Sequence, residues 1–162
     1  MTDTPAESVR RIVQRVVDGA AAALEPVVTG GALGGELLAI VVSVLADDGS
    51  DVEVWHGHIA DLPEAQWPED SFGIARGKTA LTVRTGMTAE EVHKVQPELL
   101  KEDDVPWWGN TLIEIGGRVV VVSASGLDEG WDQRICEAIA DLLVISLAAD
   151  GTVLEAVLKE AA

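Results

Sequence analysis

Between Leu112 and Leu143 the chain reads LIEIGGRVVVVSASGLDEGWDQRICEAIADLL, and no other stretch limits the fold as much. A short strand meets Gly116-Gly117, a dipeptide suited to a tight hairpin turn. Val119 to Val122 is a continuous β-branched run, as expected of a central strand. A Ser-Gly loop then hands over to a helix opened by Asp128 or Asp132. Trp131, Ile135, Ala138, Leu142 and Ile145 form one stripe on that helix, and Ile139, Leu143 and Leu147 widen it. From Ala138 to Ala149 only Asp141 and Ser146 are polar. A second surface must therefore bury this helix, in the domain or in a partner subunit.

The rest of the chain supplies material to cover that unit. Residues 1–7 read as a loose terminus and Ser8 as a helix cap. Val9, Ile12, Val13, Val16, Val17, Ala20, Ala21 and Leu24 then keep helical spacing until Pro26 ends the pattern. Residues 25–36 are a Gly-rich connection; they lack the GxxxxGK[ST] pattern of a phosphate loop. Leu37 to Ala46 is a buried strand. Asp47 to Ser50 is a turn, and Asp51 to His58 alternates as a half-exposed strand. Its alternation puts Val52, Val54 and His56 on one side and Glu53, Trp55 and Gly57 on the other.

After a loop bearing Pro63 and Pro68, Ser71 to Gly86 reads as a helix. Phe72, Ala75, Thr79 and Thr82 share one face; Ile74, Leu81 and the Lys78 stem form a second strip. Thr88 with Glu91 is a capping box that opens a short helix towards Leu100, with Pro97 inside its span. Thr152 with Glu155 opens a C-terminal helix by the same device. The order α-ββ-α-α-ββ-α-α gives an α+β class, one domain over residues 1–162. An antiparallel sheet of four to five strands is layered with helices.

Composition narrows the functions. The 162 residues carry a formal net charge of −17, which repels phosphate backbones and anionic bilayers, so neither nucleic acid nor membrane is an expected partner. No apolar run reaches the ~20 residues of a membrane span. Cys136 stands alone and forms no internal disulfide, and the polar N-terminus lacks a signal core; both fit a cytoplasmic home.

Several residues are candidates for chemistry. His56 and His58, two apart on a strand, share a face and could offer both imidazoles to one metal or one haem edge; otherwise they are surface histidines at a strand end. Arg76 and Lys78 could hold a ligand carboxylate, or pair with Asp70 or Glu69. Trp107 and Trp108 could flank a pocket mouth or anchor an interface. Ser123, Ser125 and Asp128 lack the G-x-S-x-G elbow and a local histidine, so they read as a strand-to-helix turn with capping side chains. Cys136 reads as a packed apolar residue.

The segment Ile74-Ala75-Arg76-Gly77-Lys78-Thr79-Ala80 resembles the "ARxKA" helix of the GlcG/HbpS-like proteins, a family that takes in the C-terminal domain of PduO-type proteins. The valine-rich hairpin from Ile40 to Val54 fits that family, as does Val122-Ser123-Ala124-Ser125-Gly126 followed by the helix from Asp128. An uncharacterised branch of related small proteins fits the Ser-Gly-Leu-Asp turn about equally well. Pro106-Trp107-Trp108-Gly109-Asn110 stands where relatives carry GG-x-P, and the first helix has no histidine. The resemblance implies an oligomeric small-molecule-binding or sensing module, with haem or a related tetrapyrrole as ligand. Its pocket would lie near the Trp107-Trp108 loop, the His56/His58 strand end and the Arg76/Lys78 helix. Self-association would use the 131–149 helix or the Trp107/Trp108 loop. Two alternatives stand beside it. One is an enzyme acting on a small acid or cofactor, with His93, Arg76 and a perturbed carboxylate in one cleft. The other is an interaction scaffold without a ligand.

Overall fold

The computed structural model describes residues 2–148 and 153–162. The described residues form five α-helices and a four-stranded antiparallel sheet in the expected order. These are α1 (Pro5–Thr29), β1 (Leu38–Leu45), β2 (Asp51–Ile59), α2 (Ser71–Thr85), α3 (Ala89–Val95), β3 (Asn110–Ile115), β4 (Arg118–Ser125), α4 (Glu129–Leu147) and α5 (Val153–Ala161). Spatial strand order is β2-β1-β4-β3, so the valine-rich β4 is central, between β1 and β3.

The pleat sorts the strand side chains onto two faces. Ile40, Val42, Val44, Val120, Val122 and Ala124 join one core with Val9, Val13 and Val17 of α1, Ile135, Ile139 and Leu143 of α4, and Leu154 and Val157 of α5. Ala39 and Val41 turn the other way and pack on Phe72 and Ala75 of α2. Gly57 lets α1 lie close on β2, because a Cβ there would come within 2.9 Å of the Val17 methyl.

Several local readings need correction. The first helix begins at Pro5, where Thr4 and Glu7 close a capping box, so Ser8 is not its cap and residues 5–7 are not loose. It also runs through Pro26 to Thr29. Pro26 falls in the last turn, and continuing the helix keeps Val28 fully buried, which offsets the proline's cost. In β2, Val42 opposes Trp55 but Ser43 opposes Glu53, leaving Val54 as an extra residue in a β-bulge. The bulge reverses the alternation. Val52 and Val54 face the α1 core, whereas His56 meets Phe72 edge-on on the α2 side.

The 88–100 helix stops at Val95, and Pro97 starts a separate 3-10 turn. On α4 the buried stripe is Asp132, Ile135, Cys136, Ile139, Ala140, Leu143 and Leu147. Trp131, Leu142 and Ile145 point outwards instead, at 40%, 45% and 77% exposure. Residues 149–152 lie outside the described residues, and with them the Thr152 capping box and the end of the apolar run at Ala149.

Candidate functional site

The site is built where α2, α4 and the ends of β3 and β4 meet. Asp70 caps α2 by accepting from the Gly73 amide at 3.0 Å, and Gly86 ends it in the left-handed conformation. Two turns in, Lys78 is 1% exposed. Its stem runs past the start of β3, where Gly109 leaves room; a Cβ there would sit 3.0 Å from Lys78 Nζ and 2.6 Å from Asp132 Cβ. The ammonium donates to the Ala124 carbonyl at 2.6 Å and to Asp132 Oδ2 at 3.3 Å. The pair ties the two helical layers together across the end of the sheet.

Asp132 has a second task. Its Oδ1 accepts from the Leu127 amide at 3.1 Å, so it restrains the Ser-Gly-Leu-Asp turn from inside the helix. Asp128 occupies the cap position without a side-chain hydrogen bond, contrary to the capping expected of it. Burial pushes the Asp132 carboxyl up to about 6, and the neighbouring Lys78 ammonium only partly opposes this. Ser123 shares a hydrogen bond of 2.8 Å with Thr79, and Asn110 is spent on Ala89, Lys78 and Thr82. Both serve the packing of α2 on the sheet.

Lys78 and Asp132 line a cavity of about 160 Å³ together with Glu69, Ile74, Trp107, Ser125, Leu127 and Glu129. A larger one of about 310 Å³ lies beside it, between Gly35-Glu36-Leu37, Ala60-Asp61-Leu62 and Ser71. The two share Glu69 and Gly126. Their common wall is tight: a Cβ on Gly35 would fall 2.0 Å from the Gly126 carbonyl oxygen.

The residues expected to form one pocket are divided between places. Lys78 and Trp107 meet at the small cavity. Trp108 faces away, packed against Leu81, Ala89 and Val92, with Lys94 Nζ 4.9 Å over its ring. Arg76 holds Glu53 through two hydrogen bonds of 2.8 and 3.2 Å, so its main partner is on β2 rather than Asp70 or Glu69. Glu53 also reaches His56 Nδ1 at 3.2 Å. Burial tends to raise the Glu53 carboxyl, but the Arg76 guanidinium prevails and holds it below the usual range. His93 lies 3.2 Å from the Val105 carbonyl and beside Trp108 on α3, whereas Arg76 is held by Glu53 of β2.

His56 and His58 do share a face, but as part of an aromatic cluster. His56 meets Phe72 edge-on at 5.1 Å, and His58 meets Trp67 at 5.5 Å. Among the described residues no group of three or more His, Cys, Asp and Glu side chains is placed to hold a metal. A haem fits this place poorly. His58 lines a groove with Asp18 and Glu25, whose carboxylates would face the propionates. The adjacent cation, Arg76, is already paired.

Cys136 is fully buried with Sγ 3.6 Å from the Gly109 carbonyl, and burial pushes its thiol up, so it is a packed residue. Of the cavity lining, Asp132 and Glu129 carry no site motif in the sequence, while Ser125 reads there only as a turn residue and Glu69 only as an ion-pair candidate. The available signal was a lone acid on the buried stripe of α4, four residues before Cys136. Among the described residues no helix is long and apolar enough to cross a membrane. No family model, curated protein or solved structure matches the chain.

Proposed function

We propose that the protein is a cytosolic small-molecule-binding or sensing module whose ligand enters the cavity over Lys78 and Asp132. The observation that carries this reading is the fully buried Lys78 ammonium at a cavity wall. An ammonium has three donors, and two acceptors reach it among the described residues. The third donor suits a ligand acceptor group. Ile74, Leu127 and Trp107 offer apolar walls, which is the usual make-up of a binding site: mostly apolar with few fixed polar groups.

Charge selects the ligand. Glu69, Glu129 and Asp132 share the wall with Lys78, so a carboxylate ligand would meet net repulsion. A neutral compound of a few heavy atoms with one acceptor is the better match. The resemblance to GlcG/HbpS-like proteins agrees with a binding role, since Lys78 belongs to the segment that carries it. A tetrapyrrole is too large for this cavity and is the less favoured ligand.

Thermal unfolding in the presence of small neutral polar compounds tests the reading. A ligand at about 100 times its Kd stabilises the fold by ~2.7 kcal/mol. The shift is expected in the wild type and absent in Trp107→Ala. Equal shifts in both would place the ligand elsewhere.

The exposed face of α4 supports self-association as a second property. Trp131 and Leu142 line an apolar groove with Leu24 and Val27 of α1, and Ile145, about one turn beyond Leu142 on α4, is also exposed. Exposed contiguous apolar area of this kind suits an interface. Sedimentation equilibrium is expected to give an oligomer for the wild type and a monomer for Leu142→Glu/Ile145→Glu. A wild-type monomer would remove this property.

A further inference from the structure

We propose that Lys78 captures small aldehydes in the cavity as a reversible imine. This rests on the reading of the cavity as a ligand site and names the chemistry of that ligand.

A lysine acts as a nucleophile towards carbonyls when it is desolvated and has a proton acceptor beside it. Lys78 meets both conditions: it is 1% exposed, and Asp132 Oδ2 is 3.3 Å from Nζ. The three other lysines, Lys94, Lys101 and Lys159, are on the surface. A carboxyl held near 6 exchanges protons readily at neutral pH, so Asp132 suits the task of proton carrier.

The cavity then limits the carbonyl compound. Its volume of about 160 Å³ admits only a short chain. Carboxylates at Glu69, Glu129 and Asp132 disfavour an anionic substituent, while Trp107, Ile74 and Leu127 accept an alkyl group. A short neutral aldehyde satisfies all three restrictions.

The step balances with these groups alone. Lys78 passes one proton to Asp132, leaving a neutral amine and a carboxylic acid. The nitrogen lone pair attacks the carbonyl carbon, the C=O π pair moves to oxygen, and Asp132 protonates that oxygen. The amine proton returns to Asp132. The carbinolamine then expels its hydroxyl as water, taking the Asp132 proton, as nitrogen forms the C=N bond. One aldehyde and one amine give one imine and one water, and no oxidant or reductant is consumed. Asp132 Oδ2 lies 3.3 Å from Nζ, within reach of the proton transfers at nitrogen.

The test is borohydride trapping with propanal on the full chain, read by intact mass and peptide mapping. The expected result is one propyl group on Lys78 ahead of Lys94, Lys101, Lys159 and the N-terminus, with at least tenfold preference. Lys78→Arg, which keeps the charge pair but cannot form the imine, is expected to lose that adduct. Mapping of the wild type decides the matter even if the variant folds poorly. Propyl groups spread over the exposed amines, with Lys78 unmodified, would overturn the proposal. Binding of propan-1-ol is measured in parallel by amide chemical shifts. If the alcohol shifts the cavity residues while Lys78 stays unmodified, the imine is wrong and the ligand site stands. If neither compound shifts those residues and Lys78 is unmodified, both fail.

Discussion

Lys78 Nζ and Asp132 Oδ2 lie 3.3 Å apart, with both side chains all but removed from solvent, across 54 residues of chain. The contact joins helices on opposite faces of the sheet and forms one wall of the cavity. Breaking such a buried pair from one side leaves an unpaired charge, at a cost of about 3–5 kcal/mol. Lys78→Met and Asp132→Leu should each show that loss in urea unfolding. The double variant should recover most of it, because apolar replacements of a whole pair are often close to neutral. Additive losses would mean that the two residues do not act as a pair.

The same carboxyl makes stability depend on pH in a defined direction. Asp132 titrates near 6 when folded, against an ordinary value of 3.8. The folded protein therefore holds this proton more tightly than the unfolded chain does. The stabilisation is complete below about pH 4 and is lost as pH rises through about 6. Two units correspond to ~3 kcal/mol. The stability difference between wild type and Asp132→Asn should shift by that order between pH 4 and pH 7, with wild type losing ground as pH rises. A flat difference would contradict it.

Arg84 governs the loop that leads to Trp107. It donates to both Asp104 oxygens, at 2.7 and 2.6 Å, and to the Leu99 carbonyl at 3.0 Å. Those hydrogen bonds hold the Asp104 carboxyl at about 2. A lowered value acts in the opposite sense: the stabilisation is present above the ordinary range and is lost as pH falls through about 2. Asp104→Asn should cost ~1–2 kcal/mol at neutral pH, and the penalty should shrink in strong acid. Unfolding midpoints at both pH values check this.

Gly35 tests the wall between the two cavities. A methyl on its α-carbon would fall 2.0 Å from the Gly126 carbonyl oxygen, well inside van der Waals contact, so the backbone would have to shift. Gly35→Ala should therefore lose at least about 3 kcal/mol of stability, more than an ordinary overpacked side chain. Gly49, where a Cβ would meet nothing within 4 Å, lies in the Asp-Gly turn at φ +83°. Gly49→Ala should cost only the backbone strain of that turn, ~1 kcal/mol. Equal losses at the two sites would remove the close contact from the account.

The parts of this fold that were legible in the sequence depend on local signals. The Thr88-Glu91 capping box, the Gly116-Gly117 turn and the Phe72-Ala75-Thr79-Thr82 face all arise within a few residues, and the structure contains each of them. The misreadings have non-local causes. Pro26 stays helical because Val28 must reach the core, and the bulge at Val54 exists only in register with β1. The site was the least legible part. Lys78 was noted as a cation on a helix, but its partner Asp132 is brought to it only when α2 and α4 pack on opposite faces. The tandem Trp107-Trp108 suggested one function, yet one ring lines the cavity while the other is packed behind α3.

The central claim is that a small ligand occupies the cavity bounded by Lys78, Asp132 and Trp107. Amide and indole chemical shifts, recorded while short neutral polar compounds are titrated in, test it most directly. The account predicts saturable shifts confined to the Trp107 indole, Ser125 to Glu129 and Asp132, and their loss in Trp107→Ala. Shifts centred on His56, His58 and Phe72 with that cavity silent would contradict it.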